Sequence, residues 1–253
     1  MPAPRIRPII LAGSRNEGPL RQVASQDLEA LIPVGGRPMV AHVIDATLSA
    51  RSLLDPVLVG FPEFAEVPQL RDQHTVPAGE TFVESIKRGS NAAGDVEYLL
   101  FITGDVPLVS GEILDRFIEA ALAHEADFFV PVVRRTLSED RYPDVARTYA
   151  RLREGELTLG NCFLGTRDCI FSMLPTLDRL FAMRKSVIRM GWIIGPTFLL
   201  KLAFGRAGIS DAEALFRRIT GFPGRAIFSD DPEIALDVDK PSHLRAVEDL
   251  MAR

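Results

Sequence analysis

Short apolar runs alternate along the first half of this chain with stretches whose apolar residues recur every three or four positions. Ile6 to Leu11 reads as a strand, followed by an irregular polar stretch to about Glu29. Pro38 then stands where a first helical turn accepts proline, and Val40, Val43, Ile44, Thr47 and Leu48 follow at helical spacing. Pro56 to Gly60 gives a second strand, Phe82 and Ile86 mark a short helix, and Tyr98 to Thr103 is the strand with the most buried character. Between them, Phe61 to Pro77 is rich in proline and charge and follows neither period. Ser110 can cap a helix whose Ile113, Leu114, Phe117, Ile118, Ala121 and Leu122 share one side. Asp127 to Val133 has the near-continuous apolar character of a strand covered on both faces. This β-α-β-α-β-α-β order predicts an α/β fold with a mostly parallel sheet and right-handed crossovers.

Beyond Arg134 the pattern loosens. It predicts a hairpin around Arg153-Glu154-Gly155-Glu156, an amphipathic segment from Asp168 to Met183, and helices over Pro196 to Phe204 and Ala212 to Ile219. Ser210 and Glu213 stand in capping-box register for the latter. Ala235 to Val238 reads as the last strand and Pro241 to Leu250 as a closing helix. No internal repeat is visible, so residues 1–253 read as one domain. The loosened stretch 134–195 is an insertion in which a second substrate would be recognised.

A formal charge of −5 argues against broad contact with nucleic acid or anionic lipid. It leaves a nucleotide open as ligand, because backbone N–H groups and a metal ion can hold phosphates on an acidic protein. Cys162 and Cys169 match no zinc or paired-thiol spacing and read as reduced, space-filling thiols, which fits a cytoplasmic protein. The Ile9-Ile10-Leu11 run is too short for a signal peptide, and the patch at Leu199, Leu200, Leu202, Ala203 and Phe204 is too short to span a membrane.

Two strand-like runs end in carboxylates beside a turn: Phe101-Ile102-Thr103-Gly104-Asp105-Val106-Pro107-Leu108 and Asp237-Val238-Asp239-Lys240-Pro241. Strand ends of this kind open the binding crevice of a parallel sheet. Asp105 there either caps a turn or binds magnesium. Asp239 either caps the closing helix or binds the same ion, and Asp237, on the same face by the period of two, is equally able to point inward. Hard oxygen ligands suit Mg2+ or Mn2+. The loop from Gly13 to Leu20 lacks the spacing of a P-loop or a dinucleotide fingerprint. It is either a plain turn or a wrap of N–H groups around a triphosphate, with Arg15 or Arg21 neutralising charge. Asn161, at an apparent turn, and Lys185, Arg189 and Trp192 either hold an anionic or cyclic acceptor or pack at the surface. His42, His74, His124 and His243 share no useful spacing and receive no catalytic role. With no nucleophile elbow, covalent hydrolysis is poorly supported.

Five segments in order resemble the nucleotidyltransferase family that includes molybdenum-cofactor guanylyltransferase and the cytidylyltransferase of isoprenoid synthesis. They are Ile10-Leu11-Ala12-Gly13, Ala30 to Met39, Pro77-Ala78-Gly79-Glu80 leading to Ser85, Thr103 to Leu108, and Asp237 to Pro241. The resemblance implies a three-layer α/β/α sandwich, GT-A-like, of the nucleotide-diphospho-sugar transferase kind. It implies that Leu11, Ala12, Gly13 and Ser14 cradle phosphates, that Gly79 and Ser85 line the base pocket, and that Asp105 and Asp239 hold Mg2+ or Mn2+. The implied reaction joins an NTP to a small phosphorylated acceptor with release of pyrophosphate. Two positions depart from the pattern: Ser14 stands for a glycine and Glu29 for a phosphate-contacting lysine. Glu29 is expected to pair with Arg15 or Arg21 and hold the guanidinium against phosphate. If it does not, a nucleotide-binding or regulatory protein that has lost transfer is the alternative. Base, acceptor and oligomeric state are not read from these residues.

Overall fold

The computed structural model describes residues 3–183 and 193–252. From the amino terminus run β1 (Ile6–Leu11), a small hairpin of β2 (Pro33–Val34) and β3 (Arg37–Pro38), α1 (Met39–Ser49), β4 (Val57–Gly60) and β5 (His74–Pro77). Next come α2 (Phe82–Ala92), β6 (Tyr98–Thr103), α3 (Gly111–Leu122), β7 (Phe128–Arg134) and α4 (Arg135–Arg141). The remainder comprises β8 (Ala150–Leu152), β9 (Gly155–Leu159), β10 (Cys162–Thr166), α5 (Arg167–Met183), α6 (Pro196–Ala203), α7 (Ile209–Thr220), β11 (Gly224–Phe228) and α8 (Pro241–Met251). No helix of the described residues is long and apolar enough to cross a membrane.

Among those residues a nine-stranded sheet runs β5-β4-β1-β6-β10-β7-β9-β8, with β11 alongside β7. Only β9 and β10 run against the others, so the sheet is mostly parallel. Its strands alternate their side chains between two apolar layers. Ile10, Leu58, Leu100 and Ile102 pack with α1 and α3 residues such as Val43 and Phe117, while Ile9, Val59, Leu99 and Phe101 pack with Val83, Ile86, Ile170 and Leu174 of α2 and α5. Burial on both faces explains why these strands read as continuous apolar runs. The outcome is the expected helix–sheet–helix sandwich.

A third apolar cluster joins Leu20, Ile32, Val34 and Met39 to Val145, Leu236, Val238, Leu244 and Val247. It ties the loop after β1, the segment after α4 and the carboxyl-terminal tail into one unit below the sheet edge. Val238 is 2% exposed, and burying such a side chain is worth roughly 1.5–3 kcal/mol. That burial anchors the two aspartates flanking it.

The small β2–β3 hairpin and three strands of the main sheet were not legible in the pattern. β5 lies in the proline-rich stretch, β11 follows α7, and β10 is interrupted by Gly165, where a Cβ would come within 2.7 Å of Ile170 Cδ1. Ala235 to Val238, expected as a strand, has no ladder partner among the described residues. Pro232–Ala235 is a 3-10 turn, after which the chain runs extended and Val238 N–H donates to the Asp105 carbonyl at 2.9 Å. The cap of α7 also differs: Gly208 precedes the helix and its N–H donates to the Asp211 carboxylate at 2.9 Å. Ser210 therefore lies inside the helix, and Glu213 instead accepts from Ala226 N–H at 3.1 Å. Thr81 and Ser110 do cap α2 and α3 through their hydroxyls.

Candidate functional site

Parallel pairing of β1 with β6 sets Leu11 opposite Thr103, so the loops that follow these strands leave the same sheet edge side by side. Gly104 N–H donates to the Leu11 carbonyl at 2.9 Å. Antiparallel β10 enters at that edge, with Cys162 opposite Ile102. The residue before it, Asn161, therefore arrives at the cleft, and its carbonyl accepts from Thr103 N–H at 3.1 Å. A cavity of about 210 Å3 opens here, lined by Leu11, Ala12, Gly13, Ser14, Glu29, Ala30, Gly79, Glu80, Thr81, Phe82, Ser85, Thr103, Gly104 and Asp105. Gly13 permits the wall to close, because a Cβ there would lie 2.6 Å from Ala78 Cβ. On the other wall, Ser85 Oγ accepts from Gly79 N–H at 3.0 Å and holds that turn open toward the cavity.

Eight of the residues singled out in the sequence line this one cavity, namely Leu11, Ala12, Gly13, Ser14, Glu29, Gly79, Ser85 and Asp105, whereas Arg15, Arg21, Asn161 and Asp239 do not. Asn161 Nδ2 lies 3.2 Å from Asp237 Oδ1 behind it. Asp239 is half exposed, with Oδ1 2.7 Å from His243 Nδ1. The two arginines are committed elsewhere. Arg21 donates to the carbonyls of Ser25 and Gln26 and to Asp27, and Arg15 lies over the Phe61 ring, 5.0 Å from its centroid. The expected pairing of Glu29 with either is thus replaced by a different arrangement. Glu29 N–H donates to the Ser14 carbonyl at 3.2 Å, and its carboxyl is pushed above the usual range by burial and then by Asp239. Lys185, Arg189 and Trp192 lie outside the described residues.

Carboxylates crowd this end of the cleft. Burial raises the Asp105 carboxyl to about 6, helped by the charges of Asp237 and Glu29 and opposed by the hydroxyl of Thr103, which donates to it. A desolvated carboxyl among like charges is a natural ligand for a hard cation. Among the described residues no three His, Cys, Asp or Glu side chains form a ready-made cage. What the donors fit is an ion held by one or two carboxylates and completed by phosphate oxygens and water, the usual habit of Mg2+.

Several groups that build the site carry no spacing signal. Asn16, 3% exposed, donates to the carbonyls of Ala24 and Gln26 and folds the loop after β1 back on itself. Arg147 Nη1 reaches Asp237 Oδ1 at 2.6 Å, with the guanidinium largely buried. His243, 3% exposed, sits between the Asp237 and Ala146 carbonyls and so clamps the Asp237–Asp239 tail to the segment after α4. Of the two tail aspartates, Asp237 is occupied by Arg147 and Asn161, which leaves Asp239 the freer. Cys162 and Cys169 are buried and unpaired, and burial pushes the Cys169 thiol up to about 12.

Comparison with known proteins bears on the family and the fold. The family model described as "MobA-like NTP transferase domain" matches residues 9–187. A 2-C-methyl-D-erythritol 4-phosphate cytidylyltransferase from Streptomyces coelicolor is 34% identical over 117 residues, 42% of this chain and 43% of that protein. The match thus spans less than half the length of that curated relative. A hypothetical transferase from Thermus thermophilus superposes with a TM-score of 0.82 at 34% identity, covering 95% of this chain and 99% of the other. A 4-diphosphocytidyl-2C-methyl-D-erythritol synthase from Anaerococcus prevotii shares the fold at 13% identity, with a TM-score of 0.66 over 99% of this chain and 97% of its own.

Proposed function

The chain belongs to the MobA-like NTP transferase domain family, and from that premise we propose that it moves a nucleoside monophosphate from an NTP to a small phosphorylated acceptor, with release of pyrophosphate. The observation that carries this reading is one cavity walled by the loop Leu11–Ser14, the turn Gly79–Ser85 and Asp105. An oxygen of the acceptor phosphate attacks the α-phosphorus, the bond from that phosphorus to the bridging oxygen breaks, and pyrophosphate leaves with the electron pair. Two anions must approach closely for this, so donors have to face them. Ala12 N–H is spent on the Val59 carbonyl at 2.8 Å, so the donors this loop would offer are the N–H groups of Gly13 and Ser14 and the Ser14 hydroxyl. Asp105 and Asp239 would hold Mg2+ or Mn2+, which when bound neutralises phosphate charge and orients the reacting oxygens.

In this reading the chain acts as a single unit in the cytoplasm, and residues 134–195 recognise the acceptor. Asn161 supports that assignment, because β10 delivers it to the cleft. Arg15 and Arg21 serve as mobile cations that would have to leave Phe61 and Asp27 to reach phosphate. The test is an assay of pyrophosphate release with each NTP, Mg2+ and a panel of phosphorylated acceptors. Release should require both substrates and stop with EDTA.

Glu29 is the observation that favours a second reading, a nucleotide-binding or regulatory protein that has lost transfer. A carboxylate in a partly desolvated, already acidic cleft repels a triphosphate. Glu29→Gln is therefore expected to tighten NTP binding by about threefold to tenfold in calorimetry. If turnover rises in step, the native site is attenuated; if affinity is unchanged, Glu29 does not face the phosphates. NTP binding without pyrophosphate release across the whole acceptor panel would select the regulatory reading.

A further inference from the structure

The cavity has an acidic end and an aromatic end. Asp105 and Glu29 stand at the first, while Phe82 is the aromatic side chain among the described residues that line the second. Phe82 opens α2 directly after its Thr81 cap, so the cap fixes where the ring emerges. The ring is 40% exposed, which leaves a large apolar surface facing water at the rim of a polar cleft. Behind it stands Phe181 of α5, offset-stacked with centroids 5.4 Å apart and planes at 23°. One face of Phe82 is thus braced by a second helix.

A braced, half-exposed phenyl ring is suited to a planar heteroaromatic partner, since stacking covers apolar surface and costs little ordering of a ring already held in place. The rest of the wall supports the same polarity. Beside the ring, the N–H groups of Gly79 and Glu80 are taken by Ser85 Oγ at 3.0 Å and Glu84 Oε2 at 2.8 Å, which leaves the carbonyls of Gly79 and Glu80 to meet the amino edge of a base whose face is stacked. We propose that Phe82, backed by Phe181, is the platform on which the nucleobase of the NTP stacks, so that this residue sets the preference for a nucleotide over a bare polyphosphate. The inference rests on the nucleotidyl-transfer reading above.

The experiment compares NTP and tripolyphosphate binding by calorimetry, with Mg2+ present, for the wild type and for Phe82→Leu, Phe82→Tyr and Phe82→Ala. Stacking on an aromatic side chain is worth enough to change affinity by about tenfold. Phe82→Leu, which keeps apolar bulk and loses the π face, should weaken NTP binding by about that factor and leave tripolyphosphate binding unchanged. Phe82→Tyr should retain NTP affinity. Thermal unfolding of each variant checks the fold, and Phe82→Leu serves as the informative variant if Phe82→Ala unfolds. Equal losses for NTP and tripolyphosphate, or unchanged NTP affinity in Phe82→Leu, would overturn the platform while leaving nucleotide binding intact. A wild type that binds neither ligand would sink the transferase reading and the platform with it.

Discussion

Asp105→Asn is expected to abolish turnover and, at neutral pH, to make the protein more stable. Both effects come from one cause: a carboxyl held where its charge is poorly solvated and faces Asp237 and Glu29. Its folded value of about 6 lies above the ordinary 3.8, so the native state binds the proton more tightly than the unfolded chain does. The charged form therefore costs stability above pH 6. That cost is relieved as pH falls through 6 and is absent below about 4. A carboxyl moved this far costs at most roughly 3 kcal/mol, and its partial exposure reduces the expectation to about 2 kcal/mol. Asn removes the charge and keeps an oxygen to accept from the Thr103 hydroxyl. Urea unfolding at pH 7.5 should show Asp105→Asn the more stable by that amount, with the gap closing by pH 4. A variant less stable than wild type at pH 7.5 would contradict this account. If Asp105 holds the cation as proposed, losing its charge should lower metal-supported turnover by at least about a hundredfold, and wild-type activity should decline in acid as protons compete with the cation for that carboxylate.

Arg147→Met should be the most destabilising single change near the cleft. The guanidinium is largely buried and its Nη1 lies 2.6 Å from Asp237 Oδ1, with Asn161 Nδ2 the other donor to that oxygen at 3.2 Å. Removing the cation strands a carboxylate that is only a quarter exposed, a loss of about 2–3 kcal/mol after allowing for the water that reaches it. Asp237 already pushes the Asp105 carboxyl upward. With nothing left to neutralise it, the acid limb of the activity profile should move to higher pH. Asp237→Asn on the Arg147→Met background removes the stranded charge and should restore most of the stability. A double-mutant cycle with a coupling near zero would show that the pair contributes packing alone.

The resemblance to a transfer family was legible in five short segments because each is dictated locally. Strand ends such as Ile10-Leu11-Ala12-Gly13 and Thr103-Gly104-Asp105 depend on an apolar run followed by a turn, and the crossover helices carry their own period. The helix cap at Ser110 is local too, its hydroxyl meeting an N–H three residues on; Thr81 caps α2 by the same rule and was not foreseen. Where a local rule had several partners to choose from, it misjudged the outcome. Ser210 was a plausible cap, but Asp211 reaches the Gly208 N–H and starts α7 earlier.

Amino-acid order by itself determined the helix–sheet alternation, the acidic and glycine-bearing turns at strand ends, and thereby the family. Periods of two and near four are properties of a segment and need no partner to be read. Only the tertiary structure decided that antiparallel β10 would bring Asn161 to the edge shared by β1 and β6, since a five-residue strand containing Gly165 acquires its identity from the neighbours it pairs with. It likewise decided which charge meets which. Arg21 goes to Asp27, Arg147 to Asp237 across 90 residues, and Glu29 remains with the acids. Electrostatic partnership depends on distance and burial in three dimensions, and neither is encoded in the spacing of charges along a chain.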